Sequence, residues 1–184
     1  LARLGAEAGR LLAVAAVIGQ TVPLALWESV GETDEDALLD LIERAGAVRG
    51  LSEGHALWAQ YHRAAGDRER ACEEAKQALV HATEPRQPLA LIAAHRLLGE
   101  LDTDAGRYED AEMHLQSSLD LADACAAPYE RALTLLAMAK LRVATDEADA
   151  ARALLDEVQA ICEPLGAKPA LARAETLAAR LTQA

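Results

Sequence analysis

Three kinds of side chain in this sequence could do chemistry: thiols, imidazoles and closely spaced carboxylates. The thiols are Cys72, Cys125 and Cys162, and no two of them form a C-x-x-C pair. A structural zinc site or a redox couple needs ligands close together, so scattered cysteines read as reduced thiols filling small packing positions. His55 and His62 stand about two helical turns apart, but no third ligand follows them. His95 and His114 read as helix-surface residues. Asp102 with Asp104, and Asp34 with Asp36, could be drawn as acid–base pairs. Carboxylates at helix ends and turns are usually solvated or capping, and both pairs are read that way. The phosphate loop G-x-x-x-x-G-K-[ST] and the zinc motif H-E-x-x-H do not occur in the sequence. These residues predict no catalytic centre, no metal site and no cofactor.

The elements that would position them are helices. The stretch "LLGELDTDAGRYEDAEMHLQSSLDLA", Leu97 to Ala122, reads as two amphipathic helices joined by a tight turn. Its apolar residues (Leu97, Leu98 and Leu101, then Ala111, Leu115, Leu119 and Ala122) recur at the helical period. Gly106 stands where a helix ends and a positive φ is tolerated. Shifted by forty residues, the pattern recurs on both sides. Gly66, Gly106 and Asp146 align, as do Ala71, Ala111 and Ala151. So do Ala59, Gly99 and Ala139, each after a large apolar residue, Trp58, Leu98 or Met138. Ala82, Ala122 and Cys162 form a further small column. Small residues mark close helix crossings, and a hairpin that cannot bury its own apolar face stacks on its neighbour.

At these positions the sequence resembles the tetratricopeptide repeat. Leu98-Gly99 with Tyr108 and Ala111, Trp58-Ala59 with Ala71, and Met138-Ala139 with Ala151 carry the resemblance. It departs late in the first helix, where an aromatic is usual and His62, Asp102 and Arg142 stand instead. The period also exceeds the family's usual thirty-four or so. The resemblance implies an all-α fold of stacked antiparallel helical hairpins, a right-handed α-solenoid. Hairpins are expected over about 51–87, 88–127 and 128–167, with a capping helix over 168–184.

Composition points the same way. Hydrophobic residues make up 52% of the chain, aromatics only 3%, and there is no Phe, so Ala and Leu carry the helix packing. A net charge of −12 argues against direct binding to a nucleic-acid backbone, which needs clustered Lys and Arg. The surface predicted is acidic and the location cytoplasmic, with no membrane partner.

Residues 1–50 stand outside the repeat and are expected to form a small helical bundle, resembling a winged-helix or helix-turn-helix module. "LLAVAAVIG", Leu11 to Gly19, falls far short of the roughly twenty residues of a membrane span. It reads as a buried core helix rather than a signal peptide, because no small-x-small cleavage site follows. Helices are then expected at "PLALWESV" from Pro23, and at "DEDALLDLIERAG", capped by Asp34. "AVRGLSEGH", Ala47 to His55, reads as a short Gly-turned connection or wing. This order, with "LIERAGAVRG" leading into long hairpins, is similar to the middle of the large ATP-dependent bacterial signal-transduction regulators, including the LuxR-type transcriptional activators. The resemblance implies a piece of a longer regulator, with which the lack of an initiating Met agrees.

Two function classes follow. One is the sensor or interaction arm of such a regulator, binding a partner protein, a peptide or a small-molecule inducer; the other is a free-standing adaptor. DNA reading by residues 1–50 is weak, because "DEDALLDLIERAG" is acidic and would repel phosphate. In stacked hairpins the first helices line a groove. The residues expected there are Gln60, Glu100, Lys140 and Arg180, with Arg96 and Leu136 one turn earlier and Arg63 one turn later. The alternative is that these residues only solvate the groove and pair with one another, as Arg96 and Glu100, four apart, could do. The mixed signs favour an extended or helical segment of alternating charge.

Overall fold

The computed structural model describes the backbone of residues 35–84 and 86–183, and side chains over 50–84 and 86–181. The described residues form seven helices and no strand: α1 Glu35–Ala64, α2 Arg68–Thr83, α3 Pro88–Asp104, α4 Tyr108–Ala124, α5 Pro128–Ala144, α6 Ala148–Leu165 and α7 Lys168–Gln183. The fold is all-α. None of these helices is long and apolar enough to cross a membrane. The chain divides into two compact units, Leu1–Gly50 and Leu51–Ala184. The helices expected at Leu11–Gly19 and from Pro23, the Asp34 cap, and with them most of the expected bundle, lie outside the described residues.

One expectation fails. "AVRGLSEGH" is neither a turn nor a wing, because α1 runs unbroken through it. Glycine in a helix interior costs only about 1 kcal/mol against alanine, and no proline interrupts the segment. Two glycines therefore punctuate a sequence without ending a helix.

The turns repeat in atomic detail. The backbone N–H groups of Asp67, Arg107 and Glu147 donate to the carbonyls of His62, Asp102 and Arg142 at 2.9, 2.9 and 2.8 Å. Those donors and acceptors are forty residues apart in sequence. Each closes a helix end by a bond spanning six residues, which requires a left-handed residue just before the donor. Gly106 fills that position with φ of +75°, and Asp146 fills it with +61°. The returning turn uses the same bond from Ala127 N–H to the Ala122 carbonyl, 2.9 Å. There Ala126 is held at φ of +48°, where its Cβ crowds the backbone. Ala126→Gly is therefore expected to stabilise the protein by about 1 kcal/mol, read as a higher urea midpoint at unchanged m-value. A lower midpoint would show that the turn gains nothing from glycine.

The small columns lie at the crossings. Ala59 and Ala139 are fully buried, and a Cβ added to Gly99 would lie 2.6 Å from Leu115 Cγ and 3.2 Å from the Ala111 carbonyl oxygen. A second crossing is hydrogen-bonded. Ser52 Oγ in α1 donates to the Ala78 carbonyl in α2, and Ser118 Oγ in α4 donates to the Ile92 carbonyl in α3, both at 2.9 Å. Positions 52 and 92 are equivalent, and so are 78 and 118, so the hydroxyl has changed helices between hairpins. In the third hairpin the same crossing is Ala132 and Val158, both fully buried and apolar. Consecutive helices from α2 to α7 pack on one another, while α5 also touches α3 and α7. The last helix closes the core, where Ala170, Ala174 and Leu177 are buried with Leu155, Val158 and Cys162.

Candidate functional site

The residue after each crossing position emerges beside the core rather than in it. Gln60 and Glu100 do so on α1 and α3, and with Arg63, Arg96, Leu133 and Arg173 they help to line a groove of about 670 Å³. Its walls come from alternate helices, α1, α3, α5 and α7. Glu100 is its electrostatic centre, with a side chain only 13% exposed. Arg63 Nη1 donates to Glu100 Oε2, and Arg63 Nε donates to Asp104 Oδ2 at 2.7 Å. Lys140 Nζ and Arg173 Nη2 approach the other oxygen, Oε1, at 3.7 and 3.9 Å.

Burial pushes the Glu100 carboxyl up, but Lys140, Arg63 and Arg173 together outweigh it and hold the group below its ordinary range. A depressed carboxyl contributes stability that is present above its unfolded value and lost as pH falls through the folded one. Glu100→Gln should therefore cost about 2 kcal/mol at neutral pH, since it leaves the cations facing a neutral amide. That deficit should shrink as pH falls below the ordinary value of 4.5. Urea titrations of both proteins at pH 7 and pH 3 check this, and a gap that does not narrow would refute the charge role.

Several expected groove residues are placed otherwise. Leu136 is 1% exposed and belongs to the core, because it shares a helix face with Ala132 and Ala139. Arg180 is exposed and does not line the groove, which Arg173 reaches instead, two turns earlier on α7. Lys140 joins through its contact with Glu100. Arg96 does not pair with Glu100, since its Nη1 donates across to Glu130 Oε2 on α5 at 2.6 Å. The missed column is Ala93, Leu133 and Arg173, forty residues apart and all on the groove wall. Its signal was available: 93 lies on the same helical stripe as 96 and 100.

The imidazoles also differ from expectation. His95 and His114 are half-buried and face each other, with Nδ1 atoms 3.2 Å apart. Burial, and then the neighbouring His114, push His95 below its ordinary value, so it is neutral at pH 7. Asp102 is not solvated but 6% exposed, accepting from Arg107 Nε at 2.9 Å and Nη2 at 2.5 Å. Asp104 meanwhile belongs to Arg63, so the two aspartates form no acid–base pair. His55 binds Glu74 Oε2 through Nδ1 at 2.6 Å and stacks on His81. No cluster of three or more metal-ligating residues occurs among the described residues.

The expectation that the sequence holds no nucleophile-elbow motif is wrong. Gly50-Leu51-Ser52-Glu53-Gly54 has the spacing of a nucleophile elbow, G-x-S-x-G. An elbow holds its serine on a sharp strand-to-helix turn with Oγ exposed. Here the five residues lie inside α1, and Ser52 is 2% exposed with Oγ spent on the Ala78 carbonyl. The spacing matches, but the geometry is that of a packing serine.

Four cations, Arg63, Arg96, Lys140 and Arg173, thus meet three carboxylates, Glu100, Asp104 and Glu130, within a chain whose net charge is −12. The groove is a cation-rich place on an acidic molecule. Comparison with protein-family models and with curated proteins finds no match for the chain.

Proposed function

We propose that residues 51–184 are a tetratricopeptide-like, right-handed α-solenoid. It serves as the non-catalytic interaction or sensor arm of a cytoplasmic bacterial transcriptional regulator, resembling the LuxR-type ATP-dependent activators. The array holds a segment of a partner protein, a peptide or an inducer in the groove between α1, α3, α5 and α7. The recurrence of the turn bond and the crossings every forty residues supports the solenoid reading.

The observation that carries the binding role is the pair of cations at Glu100 Oε1. At 3.7 and 3.9 Å, Lys140 and Arg173 lie beyond hydrogen-bond length and are 39% and 49% exposed. They attract the carboxylate without being fixed by it, so both can turn onto an incoming acidic group while Arg63 keeps Glu100 in place. A segment of alternating charge satisfies both signs of the lining. The test uses peptides of alternating Glu and Lys against the full chain, with Lys140→Ala and Arg173→Ala as groove variants. Arg152→Ala is the control, because Arg152 bonds to Asp149 and the Leu181 carbonyl, away from the groove. Binding weakened by about tenfold in the groove variants alone supports the reading. Equal binding by all variants removes the groove from consideration.

A further inference from the structure

One face of α1 carries apolar residues that its counterparts bury. In α3 the stripe Leu91, Ala94, Leu98 and Leu101 is at most 8% exposed, and Leu98 and Leu101 pack with Ala59, Ala71 and Ala75 of the preceding hairpin. In α5 the equivalent Thr134, Met138 and Leu141 are at most 6% exposed. Forty residues before Leu91 the same stripe reads Leu51, Gly54, Trp58 and Tyr61. Here Leu51, Trp58 and Tyr61 are 46%, 57% and 61% exposed. An isolated exposed leucine needs no explanation, but a whole stacking stripe in register does.

We propose that Leu51, Gly54, Trp58 and Tyr61 form a docking surface for an α-helix of a partner protein, one that presents small residues and seats on α1 as α2 seats on α3. The surface continues the stacking interface that the array already uses between hairpins. That continuity sets the occupant's chemistry. On α2 the facing residues include Ala71 and Ala75, both fully buried against the leucines of α3. Indole and phenol rings stand out further than leucine, so a helix seated closely on them carries small residues (Ala, Gly or Ser) opposite the rings. The change of residue type has a reason of its own. Leu98 and Leu101 are permanently dry and wholly aliphatic, whereas Trp58 and Tyr61 keep a polar tip. Such residues tolerate water while the surface is bare and dominate binding once it is covered.

The far end of the array is α7, whose exposed positions mix charged Arg173, Glu175 and Arg180 with small Ala172, Thr176 and Ala179. A second copy stacked head to tail is therefore the competing occupant, which the dependence of Trp58 shielding on protein concentration tests. The stripe is also separate from the groove, since none of its four residues lines it. The proposal therefore stands or falls independently of the groove reading.

The sequence contains two tryptophans, so Trp27→Phe isolates Trp58 fluorescence in the full chain. If that variant loses its helicity, the difference between the native chain and Trp58→Phe gives the same reading. Trp58 emission is expected to be red and open to iodide at every protein concentration. The probe is a side-chain-stapled helical peptide with the α2 sequence, Arg68 to Thr83. It should move the emission to the blue and cut iodide quenching about threefold at saturation. Tyr61→Asp should weaken that binding about tenfold at unchanged helicity, and a peptide carrying Gln in place of Ala71 and Ala75 should not bind. Trp58 already shielded at low concentration would mean that the chain covers its own stripe, and shielding that grows with concentration would mean a second copy. Either result overturns the proposal, as does peptide binding that ignores Tyr61→Asp or the absence of any shift.

Discussion

Removal of residues 168–184 is expected to turn a well-folded chain into one that associates and melts at least about 10 °C lower. The deleted helix contributes Ala170, Ala174 and Leu177 to the core and shields Leu155, Val158 and Cys162, the last two fully buried. Full burial of one leucine is worth about 2–3 kcal/mol, and the two alanines and newly wetted neighbours bring the loss to roughly 5 kcal/mol. That is a large part of the 5–15 or so kcal/mol that holds a domain together. At about 2–4 °C per kcal/mol for a chain of this length, the melting shift follows. The uncovered patch is also contiguous, which drives association. Sedimentation and thermal melting of the truncated chain decide the matter. A monomer with an unchanged melting temperature would mean that α7 is an appendage and not a cap.

Gly99→Leu should be the most damaging single substitution in the second hairpin, at about 3 kcal/mol, although leucine is the better helix former by nearly 1 kcal/mol. Even the first added carbon would sit 2.6 Å from Leu115 Cγ and 2.8 Å from its Cδ2. Leu115 is wholly buried, so it cannot swing away into water. The Ala111 carbonyl oxygen at 3.2 Å is backbone and gives way less readily still. Hairpin one shows the relief: there Ala59 and Ala75 stand in place of Gly99 and Leu115. The pair Gly99→Ala with Leu115→Ala should therefore be more stable than the sum of its single losses. Chemical denaturation of the four proteins of that cycle measures the coupling. Strict additivity would show that the two positions do not oppose each other.

Much of the helical framework was legible because it is written in spacing. Ala59, Gly99 and Ala139 recur every forty residues, and an interval of that kind survives whatever the side chains between do. Gly106 marked a turn because only positive φ explains a glycine at that point of the period. What lay hidden depended on angle and reach. Leu136 and Leu133 differ by less than one turn, yet one is core and the other groove, and the helical period alone does not set the rotation of α5 against its neighbours. Arg96 has two acids within reach, and the choice of Glu130 over Glu100 is made by the packing of α5 beside α3. Asp102 looked like a solvated helix end because the sequence does not show that Arg107, five residues on, folds back over it.

The serine that changes helices between the first two hairpins acts as an address label. Each of these two crossings has one serine hydroxyl aimed at one carbonyl, Ser52 at Ala78 or Ser118 at Ile92, and Ser118 also meets the buried Thr134 hydroxyl at 2.9 Å. Were α1 to pair wrongly with α4 while the chain folds, Ser52 and Ser118 would meet at one crossing, and each would lose the carbonyl it now bonds, Ala78 or Ile92. Were α3 to take α2 as its hairpin partner, Ile92 would meet Ala78 with neither hydroxyl between them, and both serines would be left elsewhere without these partners. A buried polar group that loses its partner costs about 1–3 kcal/mol. Hairpins that look interchangeable by their leucines and alanines are thus told apart by two oxygen atoms, and the chain carries its own proofreading of which helix belongs with which.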